Sequence, residues 1–267
     1  MFVRRYGQAG PLVFVLHGGP AAYGDAAPLA EGLSISCRTL EPWQRRSGDE
    51  PLTVARHVAD LHQLVVDTDG GARIAIVGHS WGAMLALCYA AAHPDQTGPI
   101  VVVGCGTFDQ ASSKRRREII EERMDAELRD KLNRIETESV DPVQRFMRKV
   151  RLTRHLSDFD TIDPYAECEE WEPFDLQAHG ETWDDMMRLQ AENFYPQAFV
   201  SIKSPVLMVH GQYDPHPGAM IRDNLLNYIP HLEYRELERC GHYPWNEKAA
   251  RDRIISITCD WIADKAR

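Results

Sequence analysis

The sequence predicts an α/β fold, a mostly parallel sheet with helices on both faces and one inserted helical segment. Two observations lead there. Short apolar runs rich in Val and Ile alternate with longer segments of helical period, and one interval, from about Thr107 to Ile202, carries helical signals but no strand signal. The 267 residues, 43% of them apolar and 26% charged, suffice for one large domain or for a core that carries an insertion.

The expected strands are Phe2 to Tyr6, Leu12 to Leu16, Ser34 to Leu40, Arg73 to Val77, Ile100 to Val103, Pro205 to Val209 and His231 to Leu237. Thr53 can cap a helix reaching about Val66, Ser80 opens one through Ala92, Pro217 precedes one to Tyr228, and Glu247 to Ala266 closes the chain. In the inserted interval, Ile120, Met124, Leu128, Leu132 and Ile135 fall on one face and predict a single helix of roughly six turns. The expected organisation is a core of residues 1–106 and 203–267 and a helical cap at 107–202.

Acidic residues outnumber basic ones by 40 to 30, a formal net charge of -10, which disfavours a nucleic-acid partner and leaves a small molecule or short peptide as the expected one. The run Lys114-Arg115-Arg116-Arg117 is followed by Glu118, Glu121 and Glu122 at helical pairing distance, so it reads as a solvated ion-pair face. Six scattered cysteines form no C-x-x-C pair and read as reduced and mostly buried, with no metal site implied. Met1 to Gly10 lacks a signal-like apolar stretch and no segment has the length of a membrane span, so the expected location is the cytoplasm, away from membranes.

Gly78-His79-Ser80-Trp81-Gly82 is a G-x-S-x-G pentapeptide. A bare match is weak, but this one follows the apolar run Ile74 to Val77 and precedes Ala83 to Leu87, the strand, turn and helix order in which glycines permit a sharp bend that exposes the serine. A serine hydroxyl is a poor nucleophile at neutral pH and needs a base plus a group that orients the base. Asp214 follows a late apolar strand on a loop, where α/β sheets build their sites, and His242 sits in the loop after the next strand, so these are the candidate acid and base for Ser80. Asp109, after Val103 and a glycine-rich bend, is a second possible acid, although a residue there also suits the start of the inserted segment. A neutral histidine base predicts an acidic limb in the rate profile near the ordinary pKa of ~6.5.

Negative charge on a tetrahedral oxygen calls for preorganised N–H donors. Trp81, directly after the serine, is one candidate, and Gly19 in His17-Gly18-Gly19-Pro20, after the strand Leu12 to Leu16, is the other. His17 reads as a histidine that braces this loop.

Together the H-G-G-P stretch, the S-W-G elbow, the G-x-x-D loop around Asp214, the G-H loop at His242 and the order serine, aspartate, histidine resemble the α/β-hydrolase superfamily, and within it most closely the proline iminopeptidase group. The likeness covers core segments at both ends of the chain. It implies the α/β-hydrolase fold with a cap, a Ser80, Asp214, His242 triad, Gly19 and Trp81 as oxyanion donors, and hydrolysis through an acyl-enzyme without a cofactor. Departures from the iminopeptidase pattern are His79 before the serine, Ala21 after H-G-G-P, and Trp43 to Gly48, which has arginine at position 46 where that group has glycine. Iminopeptidases hold a substrate ammonium with cap glutamates. Glu169 and Glu170, with Glu167 and Glu172 beside Trp171, are candidates for that role, while a solvated acidic surface explains them as well. Trp183, with Met186 and Met187, suits either an acyl pocket or a helix packing face. The functional expectation is a serine hydrolase of esters or amides, with a proline iminopeptidase-like aminopeptidase as one form of it. A carboxylesterase, lactonase or carbon-carbon bond hydrolase is the rival on the same triad, and a non-catalytic ligand-binding protein the rival from another class.

Overall fold

Uninterrupted apolar strands need cover on both faces, and the computed structural model, which describes residues 1–69, 73–137, 141–163 and 174–265, supplies it. Strands β1 (Val3–Tyr6), β2 (Leu12–Leu16), β3 (Arg38–Pro42), β4 (Ile74–His79), β5 (Thr97–Val103), β6 (Val206–Gly211) and β7 (Glu233–Leu237) form one sheet in the order β1-β3-β2-β4-β5-β6-β7. Every pair is parallel except β1 with β3.

Alternate residues serve opposite cores. Phe14, Leu16, Ile76, Val102 and Met208 face one layer, which contains α2 (Val54–Asp69), α3 (Trp81–Ala92) and α8 (Gly218–Leu226). Val13, Val15, Val77, Val101 and Val209 face the other, where α1 (Ala27–Leu33) and α9 (Arg251–Lys265) lie. Between β5 and β6 come α4 (Gln110–Arg123), α5 (Ala126–Thr137), α6 (Pro142–Thr153) and α7 (Leu176–Ala191), with no strand among the described residues there. Three carboxylates pin α7 to the chain ahead of α2. Asp175 accepts from the Ser47 N–H at 2.9 Å, Glu181 from that of Leu52 at 2.8 Å and Asp185 from that of Val54 at 2.8 Å.

Several expectations need correction. The single helix through Ile120 and Ile135 is two, because Met124 is extended and Asp125 starts a new helix by accepting from the Leu128 N–H at 2.7 Å. The strand expected at Ser34 to Leu40 begins at Arg38, since Ser34 to Cys37 finish the turns of α1, a helix that sequence reading missed. The last helix starts at Arg251, and Pro244 opens a short 3-10 turn, Pro244–Asn246. Among the described residues no helix is long and apolar enough to cross a membrane, and Cys37, Cys88, Cys105, Cys240 and Cys259 are free and buried. Cys168 lies outside the described residues.

The chain leaves β2 toward β3 on one side and builds β4 to β7 on the other, so the connections after β2 and β4 flank the point where strand order reverses, the favoured crevice of such sheets. The bend after β4 fits there only because two residues lack side chains. A Cβ on Gly78 would lie 2.2 Å from the Gly82 carbonyl oxygen, and one on Gly82 would lie 2.3 Å from that of Leu16 and 2.6 Å from that of His17. Backbone oxygens cannot swing aside as a side chain can, so Gly82→Ala should cost at least ~3 kcal/mol of stability, the upper end for overpacking. Urea unfolding measures this, and a loss under ~0.5 kcal/mol, as at an ordinary surface site, would contradict it.

Candidate active site

Ser80 stands between β4 and α3 with φ 53° and ψ -114°, a backbone that non-glycine residues rarely adopt. Its N–H donates to the Val103 carbonyl at 2.9 Å, which ties the bend to β5, and its hydroxyl makes no capping bond to α3. Trp81 opens α3, so its N–H belongs to the first turn, where helical N–H groups have no partner within the helix.

Asp214 and His242 meet across the loops that follow β6 and β7. The His242 Nδ1–H donates to Asp214 Oδ2 at 2.7 Å, which leaves Nε2 with a free lone pair. Asp214 is 4% exposed and has further partners. Its Oδ1 accepts from both the backbone N–H and the Nδ1–H of His216, each at 2.9 Å, and His210 Nε2 lies 3.3 Å from Oδ2. Burial alone would raise the Asp214 pKa, but the charges of the imidazoles of His242, His210 and His216, with the His216 hydrogen bond, hold it well below the usual carboxylate range. For His242, burial wins over the pull of Asp214 and pushes the imidazole down to about 4, below the ordinary value expected from sequence. Asp109, the alternative acid, is spent as the N-cap of α4, where it accepts from the Ser112 N–H at 2.8 Å and the Ser112 hydroxyl at 2.6 Å.

Two contacts join this pair to the serine bend. Gly104, next to the Val103 carbonyl that holds Ser80, has φ +54°, and a Cβ there would lie 3.1 Å from His242 Nδ1 and 3.3 Å from Asp214 Oδ2. His79, just before Ser80, is fully buried and donates from Nε2 to the His242 carbonyl at 2.9 Å. The residue that departs from the iminopeptidase pattern thus clamps the histidine loop. Glu247 secures the same loop by accepting from the Gly241 N–H at 2.9 Å, the Phe159 N–H at 2.8 Å and the Asp160 N–H at 2.7 Å.

The loop after β2 lies against Ser80 at Gly18, where a Cβ would be 3.2 Å from the Ser80 Cβ. Gly19, expected to let the backbone approach a ligand, faces open space, since a Cβ there would meet only Ala22, at 3.8 Å. His17 does brace this loop. Its Nδ1–H donates to the Gly18 carbonyl at 3.0 Å and its Nε2 accepts the Gln44 N–H at 3.1 Å, in a site whose burial lowers its pKa to about 4. Gln44 passes the order on, since its side-chain oxygen accepts the Trp81 indole N–H at 2.7 Å. His216, Gln44 and Glu247 were missed as site residues, and only the Asp214-Pro215-His216-Pro217 spacing could have signalled one of them.

Glu167, Glu169, Glu170, Trp171 and Glu172 lie outside the described residues. Trp183 packs edge-on against Trp81 at 6.2 Å, whereas Met186 is fully buried and Met187 is 38% exposed. In the basic run, Arg115 pairs with Glu118 and Glu122, and Lys114 with Glu118, as expected, but Arg116 turns inward and its buried Nε has no hydrogen-bond partner. Among the described residues the one group with metal-binding composition is Asp214, His216 and His242, whose candidate atoms lie within 4.8 Å of one another. In this group both histidines donate from Nδ1 to Asp214.

Residues 12–254 match the model of the alpha/beta hydrolase family. The chain is 24% identical over 270 residues to 2-hydroxy-6-oxononadienedioate/2-hydroxy-6-oxononatrienedioate hydrolase 2 of Pseudomonas putida, covering 93% of this chain and 87% of that protein. A shorter stretch, 39% of this chain and 41% of the relative, is 33% identical to lipase LipV of Mycobacterium tuberculosis. A thermophilic esterase from Thermogutta terrifontis has the same fold, with a TM-score of 0.66 at 17% identity over 100% of this chain and 94% of the esterase. With nearly its whole length matched and the sheet, the bend and the strand-end loops in place, the chain belongs to the alpha/beta hydrolase family.

Proposed function

We propose that the chain is a serine hydrolase in which Ser80 is the nucleophile, His242 the general base and acid, Asp214 the orienting carboxylate, and the N–H groups of Gly19 and Trp81 the oxyanion donors. The observation that carries this reading is the 2.7 Å bond between His242 and Asp214, joined to the Ser80 bend through His79 and Gly104. His242 Nε2 takes the Ser80 proton as Oγ adds to a carbonyl carbon, and the carbonyl electron pair moves onto oxygen. Collapse expels the leaving group, which receives that proton from Nε2. Water then adds to the acyl group with His242 again as base, and the second collapse releases the acid and restores the Ser80 hydroxyl. No step calls for a metal or organic cofactor.

The helices between β5 and β6 act in this reading as a cap, with Trp183 the described residue that carries the cap toward Trp81. Ester hydrolysis is the first reading for the substrate. Carbon-carbon bond hydrolysis is the second, favoured by similarity along 93% of the chain to a hydrolase of an oxo-dienedioate. Aminopeptidase activity rests on the H-G-G-P and S-W-G likeness alone. A panel of p-nitrophenyl esters, a vinylogous diketo acid and prolyl amides separates the three, with the esters expected to turn over fastest. Prolyl amide turnover that requires a free amine, with no ester turnover, would reverse the assignment.

Ser80→Ala should lower kcat on p-nitrophenyl butyrate by at least ~10³-fold, and an unchanged kcat would refute the nucleophile assignment. The base must be neutral, so a histidine held below its ordinary pKa keeps working as the medium turns acidic. The acidic limb of kcat/KM should therefore fall below pH 6.5, toward about 4. A midpoint at or above 6.5 would count against the buried His242 as base.

A further inference from the structure

We propose that His216 is a positioning residue that holds the Asp214 carboxylate by two donated hydrogen bonds, keeping Oδ2 aimed at His242. The inference rests on the triad reading above. A carboxylate with one partner can rotate about its Cβ–Cγ bond, but here Oδ1 receives the His216 backbone N–H and ring Nδ1–H, both at 2.9 Å, while Oδ2 receives the His242 Nδ1–H at 2.7 Å. Donors on both oxygens fix the carboxylate plane.

His216 is itself held in place. Pro215 and Pro217 on either side restrict the backbone, and the His216 carbonyl accepts from His210 Nε2 on β6 at 2.9 Å. Its ring lies nearly parallel to that of His242, with centroids 4.7 Å apart and planes 25° apart, so it also walls one side of the base. Both rings donate from Nδ1 to one carboxylate, which leaves each Nε2 as an acceptor, and the His242 backbone carbonyl is also held by His79 Nε2.

This arrangement has a chemical consequence. Hydrogen bonds to Oδ1 draw negative charge from the carboxylate, so His216 gives orientation and takes some of the stabilisation that Asp214 offers a protonated His242. The charged and titratable groups facing the two histidines and Asp214 include His210 from β6, His79 from β4, Tyr243 beside His242, and Arg116 and Arg123 from α4, whose guanidinium groups act on Asp214 and, for Arg116, on His216. With the His216 ring removed, Asp214 has one donor fewer, and the His242 pKa should rise while its alignment loosens.

The test is the rate of Ser80 phosphonylation by a fluorophosphonate probe, followed across pH 4 to 9 in the full chain, with circular dichroism and Tm as folding controls. His216→Ala should slow labelling at neutral pH by about tenfold to a hundredfold, the scale of a small misplacement of a catalytic group, and should move the acidic limb to higher pH. His216→Asn, whose amide can donate to Oδ1, should recover most of the rate and return the limb toward the wild-type position. If the alanine variant does not fold, His216→Phe, which keeps the stacked ring without its nitrogens, takes its place with the same expectation. Wild-type rate and limb in the alanine or phenylalanine variant would overturn the proposal, as would an asparagine variant as slow as alanine with native Tm. Absence of labelling in the wild type would overturn the triad reading, and the role of His216 with it.

Discussion

The left-handed backbone at Ser80 is the constraint on which the site depends. A φ of 53° is unfavourable for serine by roughly 1–3 kcal/mol and persists only where the surroundings over-determine it. They do so here from three directions. Val103 on β5 accepts the Ser80 N–H, the fully buried first turns of α3 fix the exit, and the missing side chains at Gly78 and Gly82 let that helix pass against the ends of β4 and β2. The sheet and its helices can be viewed as the frame that makes this one bend cheaper than its alternatives.

The loops that carry Asp214 and His242 beside this bend are fastened by buried polar groups. Asp214 is shared among histidines from its own loop, from β6 and from the loop after β7. His79 and Glu247 hold the histidine loop by its backbone, and His17 with Gln44 ties the loop after β2 to the Trp81 indole. Each buried donor or acceptor left unmatched would cost about 1–3 kcal/mol, so the network is self-enforcing, because loss of one partner exposes the next. Burial also keeps His242 neutral well below its ordinary pKa, beside a carboxylate that its neighbours keep charged.

How much of this can be read from sequence follows from the kind of force involved. Strands such as Leu12–Leu16 are legible because burial on both faces demands an unbroken apolar run. The short helix Ala27–Leu33 was not, because seven residues with Pro28 and Gly32 carry too little periodicity and its position is set by packing of Leu29 and Leu33 on the sheet. The helix break at Met124 was missed because an apolar stripe continues through it and a single capping aspartate decides the matter. In the site, Ser80, Asp214 and His242 stand out through motif and chain order. His216, Gln44 and Glu247 do not, since their roles are choices of hydrogen-bond partner that arise only when distant loops meet. His79 departs from the iminopeptidase pattern and is a buried link between the serine bend and the His242 loop. The acidic residues at 167, 169, 170 and 172 lie outside the described residues, so the likeness that would give them an ammonium to bind stands on sequence alone.

The proposed mechanism requires that Ser80, and not another of the chain's hydroxyls or thiols, be the activated nucleophile. Its most direct test is peptide mapping by mass spectrometry after reaction of the native protein with a fluorophosphonate at neutral pH. A single phosphonyl adduct is expected, on the peptide that spans Gly78 to Gly82 and located at Ser80. An adduct at any other residue, or none on a natively folded chain, would contradict it.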